Sequence, residues 1–99
     1  MSKFQVAVLP EAEQEFREAF LWYFERSLLA ADAFREEVFD AIDTLTEDAD
    51  LWPTDDDGFG FHVLTRFPYT VRFELEAEVV TVMAISHHRR RPKYWRERR

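Results

Sequence analysis

The chain has 99 residues, a length that predicts one domain spanning residues 1–99. With 46% hydrophobic and 16% aromatic residues, it is too apolar to be a disordered chain. The lack of cysteine excludes disulfides and thiolate metal sites and predicts a reducing, cytoplasmic location. No signal peptide and no apolar run of roughly 18 residues is present, so we expect no membrane role.

The net charge of −7 is distributed unevenly along the chain. Residues 1–58 carry 4 basic and 16 acidic residues, a net charge of −12, whereas residues 59–99 carry 9 basic and 4 acidic residues, a net charge of +5. The acidic part indicates solvated helix faces. The basic end is the part of the chain that favours a polyanionic partner.

The first elements are a strand and a helix. Alternation over residues 4–8 predicts a half-buried strand, and Pro10 followed by acidic residues is typical of a helix start. The helix is predicted over residues 10–25, with an apolar face made of Ala12, Phe16, Ala19, Phe20 and Tyr23. We expect Glu11, Glu15 and Glu18 on the opposite, solvated face.

A second helix and an acidic loop follow. Ser27 is a predicted N-cap for a helix over residues 28–46, which forms an antiparallel hairpin with the first. Residues 47–58 are predicted to form a loop, because they contain several acidic residues together with a proline and Gly58. The loop lacks the spacing and terminal glutamate of a calcium-binding loop, so we predict neither a metal nor a cofactor.

The last part of the chain predicts three strands. They are expected over residues 59–65, 70–75 and 79–86, separated by turns at residues 67–69 and 76–78. The β-α-α-β-β-β order predicts an α+β fold, with a helical hairpin packed on one face of a mainly antiparallel four-stranded sheet.

The basic C-terminal end is the candidate for function. Its bases alternate with aromatic residues, a composition that suits contacts with phosphates and stacking on nucleic-acid bases. The residues concerned are Arg89, Arg90, Arg91, Lys93, Tyr94, Trp95 and Arg96. The alternative is a basic tail that only aids solubility or that pairs with the chain's own acidic residues.

Two histidines and one strand arginine are further candidates. His87 and His88 are adjacent, so in a strand they point to opposite faces, and one of them suits general acid–base chemistry. The alternative is that a histidine caps the sheet edge through hydrogen bonds. Arg72 alternates with apolar neighbours and is expected on the sheet face away from the helices, where RNA could lie. An ion pair with a neighbouring glutamate is its alternative.

Four short strings in this order and spacing resemble the toxins of the RelE/ParE superfamily. They are Val8-Leu9-Pro10-Glu11-Ala12, then Trp22-Tyr23 and Ala33-Phe34, then Arg66-Phe67-Pro68-Tyr69, and last His87 with Arg89-Arg90-Arg91-Pro92-Lys93-Tyr94-Trp95-Arg96-Glu97-Arg98. The resemblance covers nearly the whole chain. It implies a growth-inhibiting toxin of a type II toxin–antitoxin, or plasmid stabilisation, system that a cognate antitoxin neutralises.

The resemblance leaves two targets open. RelE-like toxins are metal-independent, ribosome-dependent mRNA endonucleases, and ParE-like toxins lack the basic catalytic set and inhibit DNA gyrase. Lys3 and Lys93 are the only lysines, so the strand lysines of a nuclease are missing and the ParE-like branch is favoured. In a nuclease, Arg72, His87 and Tyr94 would be catalytic. A family member that is not toxic and only binds a partner is the third interpretation.

The same resemblance suggests two sets of contact residues. The candidate target-binding residues are Arg66, His88, Arg89, Arg90, Arg91, Lys93, Trp95 and Arg96. The surplus apolar residues of the first helix, Leu21, Trp22 and Phe24, are candidates for binding the antitoxin. Packing in the core is the alternative use of these three side chains.

Overall fold

The predicted element order is confirmed by a computed structural model, which describes residues 2–98. The elements are β1 (Gln5–Val8), α1 (Pro10–Phe24), α2 (Leu28–Asp48), a 3-10 turn (Ala49–Leu51), β2 (Gly60–Val63), β3 (Tyr69–Glu76) and β4 (Val79–His87). The largest differences from the predicted bounds are a shorter β2 and an α2 that extends two residues further.

Local sequence explains both helix starts. Pro10 is at the first helical position of α1, where its missing N–H costs no hydrogen bond, and Glu11 and Glu13 complement the helix dipole. The Ser27 hydroxyl accepts a hydrogen bond from the Ala30 N–H at 3.2 Å, which caps α2 as predicted. Within residues 2–98, no helix is both long enough and apolar enough to cross a membrane.

The sheet is mixed, with the strand order β1-β4-β3-β2. β1 runs parallel to β4, and the other two pairs are antiparallel. β1 pairs only with Val79–Val82 of β4, so the rest of β4 extends beyond its neighbour on that side. This overhang decides where the C-terminal segment packs.

The main core lies between the helical hairpin and one face of the sheet. Phe34 of α2 is fully buried at its centre, and its ring contacts Phe16, Tyr23, Phe67 and Tyr69. The sheet contributes Val71, Phe73, Val80, Val82 and Ile85 to the same cluster. Burial of the aromatic rings around Phe34 and of these strand residues is the main source of stability, because each side chain removes apolar surface from water.

A β-bulge in β4 creates a second apolar cluster on the opposite face of the sheet, here called the outer face. Phe73 pairs with Val82 and Arg72 pairs with Ala84, so Met83 is left without a partner on β3. Met83 and Ala84 are fully buried together with Trp95 of the C-terminal end. The outer face is therefore covered by protein.

Gly60 allows close packing between β2 and β3, and its substitution tests that packing. A Cβ atom at Gly60 would collide with the ring of Phe73, its cross-strand partner. We predict that Gly60→Ala lowers the free energy of unfolding by roughly 2 kcal/mol, as overpacking does in a filled core. The measurement is urea unfolding. The double variant Gly60→Ala/Phe73→Leu should lose less free energy of unfolding than the two single variants lose in sum. Additive losses would contradict a collision between the new Cβ atom and the Phe73 ring.

Candidate functional site

The C-terminal segment, residues 88–98, folds back across the outer face of the sheet instead of extending as a tail. The His88 N–H donates to the Pro68 carbonyl at 2.9 Å, which turns the chain at the end of β4. Trp95 is 1% exposed and packs edge-to-face on Phe59, with ring centroids 4.9 Å apart. Trp95 is therefore the apolar anchor of the segment.

This packing corrects the predicted use of Trp95 and the predicted surroundings of Arg72. Trp95 is buried, so its ring is not available for stacking on a target. Arg72 does lie on the outer face, but that face is not open: its guanidinium is 5.6 Å from the Trp95 ring and 5.5 Å from the Phe61 ring. Arg72 Nε is buried and has no hydrogen-bond partner within residues 2–98. The cause is the bulge, which places more apolar surface on the outer face than alternation predicts.

Asp57 holds the C-terminal segment at the β2 side of the sheet. Its carboxylate lies 3.0 Å from Lys93 Nζ and 2.8 Å from a terminal nitrogen of Arg96. The hydrogen bond from Lys93, together with the charge of Arg96, keeps the pKa of Asp57 below its usual value. Through Asp57, the acidic loop therefore binds the basic segment.

Glu15 holds the segment at the opposite side, at the edge of β4. Arg98 donates to both carboxylate oxygens of Glu15 at 2.9 Å, a bidentate pair. The Tyr94 hydroxyl also donates to Glu15, and a nitrogen of Arg90 lies 3.8 Å away. The carboxylate further accepts the Ile85 N–H at 3.0 Å. We call these five residues the Glu15 network.

Glu15 and Asp57 were missed as functional residues. The helical pattern assigned Glu15 to a solvated face, but its side chain is 12% exposed. The available signal was its position beside Phe16 and one turn before Ala19, both on the buried stripe. Its basic partners are far away in sequence, so no local pattern contains the network.

The two acids neutralise most of the basic segment. Arg90 and Arg98 pair with Glu15, and Lys93 and Arg96 pair with Asp57. Arg89 and Arg91 are exposed and have no ion pair to another residue in the described range 2–98. The alternative from the sequence, that the basic end pairs with the chain's own acids, is therefore correct for four of its bases.

Arg66 and His88 lie at the end of the sheet where β4 ends, and both are engaged within the protein. Arg66 Nε is 3.6 Å from the Glu37 carboxylate, although 59% of the Arg66 side chain is exposed. Burial raises the pKa of Glu37, but hydrogen bonds from Thr65 and Arg66 outweigh it and the net pKa is lowered. His88 Nε2 lies 3.0 Å from Thr70 Oγ1, the edge-capping role that was the alternative for one histidine.

His87 lies on the helix face of the sheet. Its ring packs edge-to-face on Tyr69 at 4.9 Å, and its Nδ1 accepts the Arg89 N–H at 3.0 Å. Burial, followed by the charges of Arg89 and His88, lowers the pKa of His87. His88 follows the last residue of β4 and contacts Thr70, so the two histidines face opposite sides of the sheet although only His87 is in the strand.

The three residues suggested for a nuclease are not brought together. Arg72 is on the outer face under Trp95, while His87 is on the helix face, so the sheet lies between them. Tyr94 donates its hydroxyl to Glu15. Burial and that hydrogen bond raise the pKa of Tyr94, so its phenol stays protonated near neutral pH. His87 and Tyr94 line one cavity, and Arg72 lies outside it on the other face of the sheet.

A cavity of about 400 Å³ lies between α1 and the end of the sheet. Aromatic rings and a few charged groups line it: Trp22, Tyr23, Tyr69, His87, Tyr94, Arg90, Glu15 and Glu18. Burial, with smaller contributions from nearby tyrosines and Glu15, raises the pKa of Tyr69 to about 12. Within residues 2–98, no group of three His, Asp or Glu side chains is arranged to hold a metal ion.

The surplus apolar residues of α1 are exposed, so their alternative use in the core is wrong. Leu21 is 55% exposed, and Trp22 and Phe24 are each 51% exposed. Leu28 and Leu29, at the start of α2, continue this surface with 59% and 82% exposure. We call Leu21, Trp22, Phe24, Leu28 and Leu29 the hairpin tip. Exposed apolar side chains grouped where two helices meet are a candidate for protein contact.

A helical hairpin on one face of a small mixed sheet, with a basic segment docked on the other, defines the chain as a small α+β domain. Residues 6–92 match the sequence profile described as "ParE toxin of type II toxin-antitoxin system, parDE". The chain belongs to this ParE toxin family, as the resemblance predicted, and the family implies an antitoxin partner.

The fold is shared with a solved structure. It is titled "Chromosomal ParDE TA system from P. aeruginosa", and it superposes with a TM-score of 0.74 at 13% sequence identity. The alignment covers 86% of this chain and 96% of that chain. None of the curated proteins matches the chain in sequence.

The lowered pKa values of two histidines predict that the protein loses stability in mild acid. Burial lowers the pKa of His62 below 6.5, and burial and nearby positive charge do the same for His87. As pH falls through about 6.5, the unfolded chain binds protons before the folded chain does, so the free energy of unfolding decreases. Urea unfolding between about pH 7.5 and 5.5 measures this. In the double variant His62→Gln/His87→Gln, the free energy of unfolding should change less with pH. An equal change in the variant and in the original protein would contradict the role of these two histidines.

Proposed function

We propose that this chain is the toxin of a ParE-type toxin–antitoxin pair and that it acts in the cytoplasm by inhibiting DNA gyrase without chemistry of its own. The observation that carries this choice of target is the separation of Arg72 from His87 by the sheet. An mRNA endonuclease needs a base, an acid and a phosphate-binding group around one ribose–phosphate unit. The sheet keeps Arg72 away from the cavity that His87 and Tyr94 line, so the suggested catalytic set is incomplete there.

The surface proposed to contact gyrase is the basic end of the sheet. Arg89 and Arg91 are its exposed cations without an ion pair in the described range, and Arg66 and His88 lie beside them at the same end. Gyrase bound to DNA presents a strongly negative surface, which attracts exposed arginines. Lys93 and Arg96 are already paired with Asp57, so their contribution is smaller.

The first test is gyrase inhibition by the purified protein. We expect the protein to inhibit DNA supercoiling and its expression to arrest bacterial growth with messenger RNAs intact. Arg89→Ala/Arg91→Ala should weaken inhibition by about tenfold, because two phosphate-type contacts are lost. The matched control is Arg17→Ala/Arg35→Ala, which removes the same charge from the helices and should inhibit like the original protein. Cut messages with unaffected supercoiling would assign the protein to the nuclease branch, and no growth arrest at all would leave only a binding role.

We further propose that the antitoxin covers the hairpin tip. A disordered antitoxin segment that folds on binding would bury these side chains, and the aromatic cavity beside Trp22 offers a place for an anchoring residue. Such a partner stabilises the folded toxin by mass action, by about 2.7 kcal/mol at a concentration of one hundred times Kd.

The second test is antitoxin rescue with the tip altered. Leu21→Ser/Phe24→Ser should leave the stability of the toxin within roughly 0.5 kcal/mol, because both side chains are largely exposed. We expect the product of the neighbouring reading frame to rescue growth from the original toxin but not from this variant. Leu51→Ser, which alters a residue 77% exposed beyond the far end of α2, is the control and should remain rescuable. Full rescue of the tip variant would exclude this surface as the antitoxin site.

A further inference from the structure

The overhanging edge of β4 is completed by side chains in place of a strand. β1 ends opposite Val82, and the next backbone groups on that edge, the Met83 carbonyl and the Ile85 N–H, have no strand beside them. Arg98 donates to the Met83 carbonyl at 3.0 Å, and Glu15 accepts from the Ile85 N–H at 3.0 Å. Because buried backbone polar groups require partners, this ion pair replaces a neighbouring strand.

The pair is shielded and bidentate, which distinguishes it from the surface ion pairs of this protein. The side chains of Glu15 and Arg98 are 12% and 15% exposed, whereas those of Arg17 and Glu13 are 59% and 56% exposed. Exposed pairs contribute little because water and salt screen them. Removing one member of a shielded pair leaves the other charge without compensation, so the local structure depends on both.

The same carboxylate pairs with two of the arginines of the segment. Glu15 contacts Arg90, Tyr94 and Arg98, which are spaced four residues apart. The Arg90 guanidinium also lies 3.9 Å from the Tyr94 ring centre, which holds it against the protein. The Arg90 side chain is still 54% exposed, and its neighbours Arg89 and Arg91 are exposed without an ion pair within residues 2–98.

We propose that Glu15 is a positioning residue: by binding Arg90, Tyr94 and Arg98 it fixes the C-terminal segment on β4 and so presents Arg89 and Arg91 to the target. This inference rests on the proposed function only for the identity of the target. The docking of the segment by Glu15 is independent of what the segment binds.

Trypsin cleavage of the full chain measures the docking directly, because the segment is rich in arginine. Glu15→Gln keeps the size of the side chain and removes its charge. We expect cleavage within residues 89–98 to become about tenfold faster, because cleavage follows the population of the open form. Cleavage at Arg17, Arg26 and Arg35 in the helices should not change. Glu18→Gln is the matched control, since Glu18 lines the same cavity but its hydrogen bond is to Gln14.

A double-variant cycle separates positioning from a general loss of stability. Arg98→Met should release the segment as Glu15→Gln does, and the double variant should be cleaved no faster than either single variant, because one interaction is being removed. If Glu15→Gln unfolds the whole chain, its helix sites will be cleaved as well. In that case the test relies on Arg98→Met, which alters a residue outside the helices and strands.

Gyrase inhibition supplies the second measurement. Both variants should inhibit supercoiling about tenfold less well than the original protein, because the freed segment spends most of its time in other conformations. Unchanged cleavage in both variants, or faster cleavage with full inhibition, would overturn the positioning role. If the original protein does not inhibit gyrase, the proposed target is wrong, and the cleavage cycle still decides whether Glu15 docks the segment.

Discussion

The unequal lengths of two paired strands constrain the rest of this molecule. β4 has nine residues and its parallel neighbour β1 has four, so the second half of β4 has an edge that no strand covers. The chain completes that edge with Glu15 from α1 and Arg98 from its C-terminal end. One ion pair thereby links the first helix, the central strand and the basic segment.

The bulge at Met83 has an equal effect on the outer face of the sheet. It places Met83 and Ala84 on the outer face, where they require an apolar cover, and Trp95 supplies it. The cover lies over Arg72, the residue that an open sheet would present to a nucleic acid. The packing of one tryptophan therefore covers Arg72, on the side of the sheet away from His87.

The uneven charge of the sequence also acquires a structural meaning. Two acids of the negative half, Glu15 and Asp57, bind four bases of the positive end. Much of the charge that composition assigns to partners is thus used inside the protein. Arg89 and Arg91 are exposed and have no ion pair within residues 2–98, so in the proposed function they are the cations left for a partner.

The sequence by itself determined the element order, the Ser27 cap, the opposite faces of His87 and His88, and the family, because these depend on local periodicity, capping chemistry and short strings. Tertiary structure alone decided the burial of Trp95, the covering of Arg72 and the exposure of Leu21, Trp22 and Phe24. It also decided the role of Glu15, whose partners lie about 70 or more positions further along the chain. Periodicity identifies the face on which a residue lies, but only the packed chain determines which distant residue covers that face.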